Sequence, residues 1–198
     1  MYKINELPTP CFVIDEGKLE ENLKLLHQVE ERTGAKILLA QKCFSCFSEY
    51  PLIGKYISGT TASGLYEARL GKEEMGLENH VYSPAYRPQD MEELAQICDH
   101  IIFNSEKQLR TYLPVLKASG TAKAGLRINP ECSTQEGHAI YDPVRPAPAW
   151  ASAPAILQTN WPILWTVFIF IPSVNRIRMI WKPRCAPWKK NSASGFLK

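Results

Sequence analysis

Lys36-Ile37-Leu38-Leu39-Ala40-Gln41-Lys42-Cys43-Phe44-Ser45 is an apolar run that empties into a small polar turn, with a lysine just past its end. The run is too short for a stable helix and is closed by turn-forming residues, so it reads as a buried strand. In a βα-barrel the carboxyl ends of the strands form the mouth that carries the chemistry, and Lys42 stands where such a fold mounts a reactive amine. Position alone decides little, because most strand-end lysines are simply solvated.

The surrounding chain keeps the same rhythm. Residues 11–14, bounded by Pro8 and Pro10 on one side and Asp15 on the other, read as a strand ending at a helix cap. Leu19, Leu23, Leu26 and Val29 then recur at helical spacing on a ground of Lys and Glu until Gly34 stops the pattern. Further strands are predicted at 59–62, 81–82, 101–103 and 125–128, with helices over 65–75, 91–97 and 106–116 between them. Such alternation marks a parallel α/β fold. No Gly-x-Gly-x-x-Gly follows any of these strands and no Gly-Lys-Ser/Thr loop occurs, which removes the dinucleotide fingerprint and the P-loop and favours a barrel over a doubly wound sheet.

Six stretches carry a family resemblance. They are Leu7-Pro8-Thr9-Pro10-Cys11, the 36–45 run, Gly59-Thr60-Thr61-Ala62-Ser63 with Tyr66-Glu67-Ala68-Arg69-Leu70-Gly71, Val81-Tyr82-Ser83-Pro84-Ala85-Tyr86, Ile101-Ile102-Phe103-Asn104-Ser105, and Leu126-Arg127-Ile128-Asn129-Pro130. In this order, from about residue 5 to Pro143, they resemble carboxynorspermidine (carboxyspermidine) decarboxylase. The resemblance implies an incomplete (β/α)8 barrel of the alanine-racemase-like, fold type III kind, binding pyridoxal 5'-phosphate and lacking its C-terminal β-domain. Residues 1–143 would be the N-terminal part of that barrel. Lys42 matches the lysine that bonds to the cofactor aldehyde, and Glu67 and Arg127 match cofactor-side positions at the mouth. A lysine acts as a nucleophile only after losing its proton, which burial or a cationic neighbour promotes. By the same resemblance the substrate is a small polyamine precursor, decarboxylated to norspermidine or spermidine, and full-length relatives are homodimers. Read without it, Glu67 is a solvated helix residue and Arg127 an ordinary strand-end arginine.

Beyond Asp142 the chain changes character. No Asp or Glu follows, while Arg145, Arg176, Arg178, Lys182, Arg184, Lys189, Lys190 and Lys198 add eight positive charges; subtracting eight from the formal +3 leaves the first 142 residues at −5. All five tryptophans lie here too, with seven prolines from residue 144 on and a single glycine, Gly195. A folded α/β enzyme does not usually switch composition so abruptly. A basic nucleic-acid or membrane-surface arm would account for charge and aromatics. A membrane span would need about 20 apolar residues, and the run 161–171 is too short, broken by Pro162 and closed by Pro172. The third reading is a coding frame out of register. Val144 to Ala151 (VRPAPAWA) can be encoded so that the neighbouring frame spells CAPGSRLG, and Val167 to Asn175 (VFIFIPSVN) is compatible with LHFHTLCEQ, both family motifs in order. Residues 144–198 are therefore expected to be a disordered, out-of-frame tail, leaving about five barrel strands of eight and an inactive fragment with open edges.

The remaining residues suggest little else. Cys43-Phe44-Ser45-Cys46 is a C-x-x-C at a strand-to-helix turn, the setting of a thiol oxidoreductase, with Lys42 beside it to favour the thiolate. A non-catalytic barrel that only carries pyridoxal phosphate is the other alternative. Cys98, Cys132 and Cys185 stand singly and His27, His80, His100 and His138 lack ligand spacing, so no metal site is expected. The polar opening Met1-Tyr2-Lys3-Ile4-Asn5-Glu6 lacks a signal-peptide pattern, and six cysteines without framework spacing suit a reducing cytoplasm. Neither nucleic acid nor membrane is expected as a partner.

Overall fold

The computed structural model of the chain describes residues 6–127 and the backbone of one further strand, Val167–Ile169. Helix α1 (Glu16–Thr33) opens where Asp15 accepts a 3.1 Å hydrogen bond from the Lys18 N–H. It closes at Gly34, whose φ of 70° is a left-handed conformation that glycine adopts without a side-chain clash. Strand β1 (Leu38–Ala40) follows, then a 3-10 turn (Phe47–Glu49), α2 (Tyr50–Ile53), β2 (Gly59–Ala62) and α3 (Leu65–Leu70). A wide helical turn (Gly71–Met75) leads to β3 (Glu78–Tyr82), α4 (Met91–Ile97), β4 (His100–Phe103), α5 (Glu106–Ser119), β5 (Lys123–Arg127) and β6 (Val167–Ile169).

All five strand pairings are parallel and the order is β1-β2-β3-β4-β5-β6. A doubly wound sheet reverses direction at a switch point; this sheet never does, which is the order of a barrel wall. Its two faces differ because successive side chains alternate. Ala62, Val81, Ile101, Phe103, Ala124 and Leu126 share one core with Leu65, Leu94, Leu109 and Leu116 of the helices. Each fully buried Leu, Ile or Phe there contributes about 1.5–3 kcal/mol. The opposite face carries Thr61, Glu78, His80, Tyr82, His100, Ile102, Gly125 and Arg127, the positions that line the interior when such a wall curves.

One polar side chain belongs to the helix-facing layer. Asn79 is fully buried; its Nδ2 donates to the carbonyl oxygens of Ala68 (2.8 Å) and Ile97 (3.2 Å), and its Oδ1 accepts from Thr60 Oγ1 at 3.1 Å. It thereby ties β3 to β2, α3 and the end of α4. Gly59 is required nearby for space: a Cβ on it would lie 1.9 Å from the Glu78 carbonyl oxygen.

Several sequence expectations need correction. Residues 11–14 form no strand; Phe12 and Val13 are exposed, and a strand exists only through hydrogen bonds to a neighbour, which these residues lack among the described residues. Asp15 nevertheless caps α1 as predicted. Of the leucine stripe on α1 only Leu23 is buried, while Leu26 and Val29 are exposed. The helix expected over 65–75 changes winding at Gly71, and the Gly76 N–H closes on the Gly71 carbonyl at 3.1 Å. Five barrel strands were expected and six are present: β6 lies in the predicted tail, paired through Leu126↔Phe168. The rest of 144–198 lies outside the described residues.

Candidate active site

Lys42 lies two residues beyond the last residue of β1, in the turn where the Cys43 and Phe44 N–H groups return to the Ala40 carbonyl. The lysine is exposed and makes no ion pair among the described residues. The turn is anchored from beneath: Gln41 is buried, its N–H bonds the Thr61 carbonyl at 3.2 Å, and its side-chain Oε1 accepts from the Tyr50 hydroxyl at 3.3 Å. Burial, and after it the negative charge of Glu67, push the Tyr50 hydroxyl above its ordinary range, so it stays a neutral donor. Gln41 Nε2 is buried without a hydrogen-bond partner among the described residues.

Arg127 ends β5 on the interior face and is only 7% exposed. Its Nη1 donates to the Tyr82 hydroxyl at 2.6 Å and its guanidinium lies over the Tyr82 ring at 4.9 Å. The Tyr82 hydroxyl in turn donates to Asn104 Oδ1 at 2.8 Å. Gln108 holds the next loop, accepting from the Asn104 N–H and donating to the Pro84 carbonyl, 2.9 and 2.8 Å. The ends of β3, β4 and β5 are thus joined by one polar chain. No carboxylate pairs with Arg127 among the described residues, which leaves a buried cation beside neutral groups.

Glu67, the third residue expected at the mouth, lies in the first turn of α3. It is half-buried on α3, and Oε2 accepts the Ser63 N–H at 2.7 Å, serving the helix start where Gly64 has no side chain to do so. The structure therefore brings Lys42, Glu67 and Arg127 to the same end of the sheet, on β1, the β2–α3 connection and β5, with Glu67 occupied by backbone. Tyr82 and Asn104 were not singled out from sequence. Their position, last in β3 and first after β4, was the available signal.

At the C-x-x-C motif, Cys43 Sγ donates to the Ala40 carbonyl at 3.0 Å and Cys46 Sγ lies 3.3 Å from Ser48 Oγ; both thiols are free. Cys98, buried behind α4, is pushed up to about 12 by burial and then by the charge of Asp99.

The amino end of the sheet holds a second polar group that the sequence spacing gave no reason to expect. His80 and His100 are register partners on β3 and β4, with ring centroids 4.3 Å apart. Glu78 Oε1 lies 2.7 Å from His80 Nε2 and 3.5 Å from His100 Nδ1, while its Oε2 takes an ion pair from Lys36. Burial alone would raise the Glu78 carboxyl, but Lys36 and His80 outweigh it and hold it below the usual range. Burial, then neighbouring His80, hold the His100 imidazole below its usual value. A cleft of about 470 Å³ opens here, lined among others by Lys36, Glu78, Asp99, His100 and Lys123. It does not coincide with Lys42, and barrel chemistry belongs to the opposite end of the strands.

No protein-family model matches the chain. A carboxynorspermidine/carboxyspermidine decarboxylase of Herminiimonas arsenicoxydans is 41% identical over 140 residues, 71% of this chain and 37% of that protein. A carboxyaminopropylagmatine decarboxylase of Synechocystis is 38% identical over 167 residues, 84% of this chain and 43% of that protein. The crystal structure of carboxynorspermidine decarboxylase from Campylobacter jejuni, complexed with norspermidine, superposes with a TM-score of 0.67 at 32% identity, over 78% of this chain and 38% of that one. The chain thus spans well under half the length of the relatives it matches, and what it matches is their N-terminal part. The fold is that of the pyridoxal-phosphate-dependent, fold type III decarboxylases, of which the sheet forms part. Among the described residues no helix is long and apolar enough to cross a membrane.

Proposed function

We propose that this chain, homologous to the N-terminal part of carboxynorspermidine/carboxyspermidine decarboxylases, carries the reactive lysine of a pyridoxal 5'-phosphate-dependent carboxy-lyase of polyamine biosynthesis. The observation that carries the reading is the pair of cations at one rim, Lys42 exposed after β1 and Arg127 buried at the end of β5, neither paired with a carboxylate among the described residues. That donor set fits a phosphorylated aldehyde: a primary amine to bond the carbonyl and a guanidinium to face negative charge. When bound, pyridoxal phosphate supplies the electron sink for the pair left by departing carbon dioxide.

Lys42 would hold the cofactor through its side-chain amine. Arg127 holds a negative charge at the mouth, oriented by Tyr82, which Asn104 fixes in turn. Glu67 sets the β2–α3 connection by holding the Ser63 N–H, and Gln41 with Tyr50 stiffens the turn that presents Lys42. The substrate class is a carboxylated polyamine, and the reaction removes its carboxylate as carbon dioxide. Full-length relatives would act as homodimers in the cytoplasm.

The 144–198 segment belongs to the same proposal as an out-of-frame tail, and the 198 residues as they stand are expected to turn over no substrate. The Synechocystis match covers 167 residues and so extends past residue 143. Resequencing the gene across the codons for Asp142 to Arg145 decides the frame. For the site, the purified chain is assayed for pyridoxal phosphate uptake and for carbon dioxide release from carboxynorspermidine. Uptake that requires Lys42, without turnover, is expected. Robust turnover overturns the inactivity, and uptake equal in Lys42→Ala overturns the assignment of the lysine.

A further inference from the structure

We infer that Glu78, His80 and His100 form a binding site for a divalent transition-metal ion of the Zn2+ class on the interior face of the sheet, at the amino ends of β3 and β4. The backbone dictates the juxtaposition. His80 and His100 are paired in register, so their rings stand side by side, and Glu78 is two residues before His80 and therefore on the same face. One oxygen or nitrogen from each residue lies within 4.8 Å of the others. Ligand bonds of about 2.0–2.1 Å to Zn2+ in tetrahedral geometry put ligand atoms roughly 3.4 Å apart. The 3.5 Å between Glu78 Oε1 and His100 Nδ1 already has that span, and the 2.7 Å between Glu78 Oε1 and His80 Nε2 needs only a modest opening.

A second observation points independently to a ligand. His100 is 8% exposed, and its Nδ1 faces this cluster buried and without a hydrogen-bond partner among the described residues. Buried polar atoms are rarely left so unless something else takes the lone pair. Lys36 engages Glu78 Oε2 and leaves Oε1 for coordination, the kind of outer contact that orients a ligating carboxylate. Two imidazoles and a carboxylate suit Zn2+ and leave a fourth position open. The cleft lined by His100, Glu78 and Lys36 gives the ion a path in.

The site stands apart from the Lys42 rim, so its test does not depend on decarboxylase chemistry. The full 198-residue chain carrying Cys11→Ser, Cys43→Ser, Cys46→Ser, Cys132→Ser and Cys185→Ser, which removes every thiol but the buried Cys98, is titrated with Zn2+ against a chromophoric chelator. One equivalent is expected to bind, with affinity falling on the order of 100-fold in His100→Gln and in His80→Gln, and about 10-fold in Lys36→Ala. Because the histidine variants sit among packed strands, the unsubstituted chain is also loaded with Zn2+ and its X-ray absorption spectrum recorded. A shell of two imidazoles and oxygen supports the site. Failure to bind Zn2+, a sulfur-containing shell, or affinity unchanged in a folded His100→Gln variant would overturn it.

Discussion

At the carboxyl ends of β1 and β5 two cations, Lys42 and Arg127, stand without an acidic partner among the described residues, whereas at the amino ends of β3 and β4 one carboxylate, Glu78, faces Lys36, His80 and His100 together. The same parallel sheet builds both. Charges that satisfy one another hold a fold in place, and charges left unmatched can take a ligand. The contrast agrees with the division of a barrel into a chemical end and a structural end. The exception at the structural end is His100 Nδ1, which lies 3.5 Å from Glu78 Oε1 and makes no hydrogen bond among the described residues.

The contrast breaks most visibly through Gly59→Ala. Its new Cβ would lie 1.9 Å from the Glu78 carbonyl oxygen, a backbone atom that cannot turn aside, so the strands must separate where β2 meets β3. A loss of about 3 kcal/mol or more in urea unfolding is expected. Asn79→Ala is next: it leaves the Ala68 and Ile97 carbonyls and the Thr60 hydroxyl short of a buried partner. The expected cost is about 1–3 kcal/mol by the same measurement.

The thiols sharpen the comparison with pH. Cys98 is buried toward the amino end and is raised from 9.0 to about 12 by its surroundings, so the fold favours its neutral form. An unfolded chain releases that proton more readily. The contribution to stability is therefore fully present below pH 9 and declines as pH rises from 9 toward 12, a decline that Cys98→Ala should remove. Under native conditions near pH 8, an alkylating reagent should modify the exposed Cys11 and Cys43 in minutes and leave Cys98 intact until the protein unfolds. Rapid native modification of Cys98 would contradict its packing. The smallest expected effect is that of Lys42→Ala on stability, within about 0.5 kcal/mol, because the side chain is exposed and unpaired among the described residues.

The fold was legible in the sequence where local chemistry decides it. Asp15 and Gly34 bracket α1, residues 59–62 and 91–97 match β2 and α4 residue for residue, and alternation of strands with helices gave the parallel sheet. It was illegible where a partner decides it. Residues 11–14 have strand composition but no neighbour among the described residues, and Leu26 and Val29 have core spacing on a helix face left uncovered. The candidate site divides the same way. A strand end and a turn mark Lys42 locally, but its chemical role could be named only through the family resemblance. His80 and His100, twenty residues apart, show no ligand spacing in the chain and meet only through the β3–β4 register. Arg127 could be named, but the Tyr82–Asn104 chain that orients it depends on three strands being neighbours.

The central claim is that Lys42 is the amine that bonds to pyridoxal phosphate. The chain is incubated with the cofactor and reduced with borohydride, and the digested peptides are sequenced by mass spectrometry. The account predicts stable incorporation at Lys42, lost in Lys42→Ala. Label concentrated on another lysine, or spread evenly over the exposed lysines with Lys42 no more modified than Lys18 or Lys107, would contradict it.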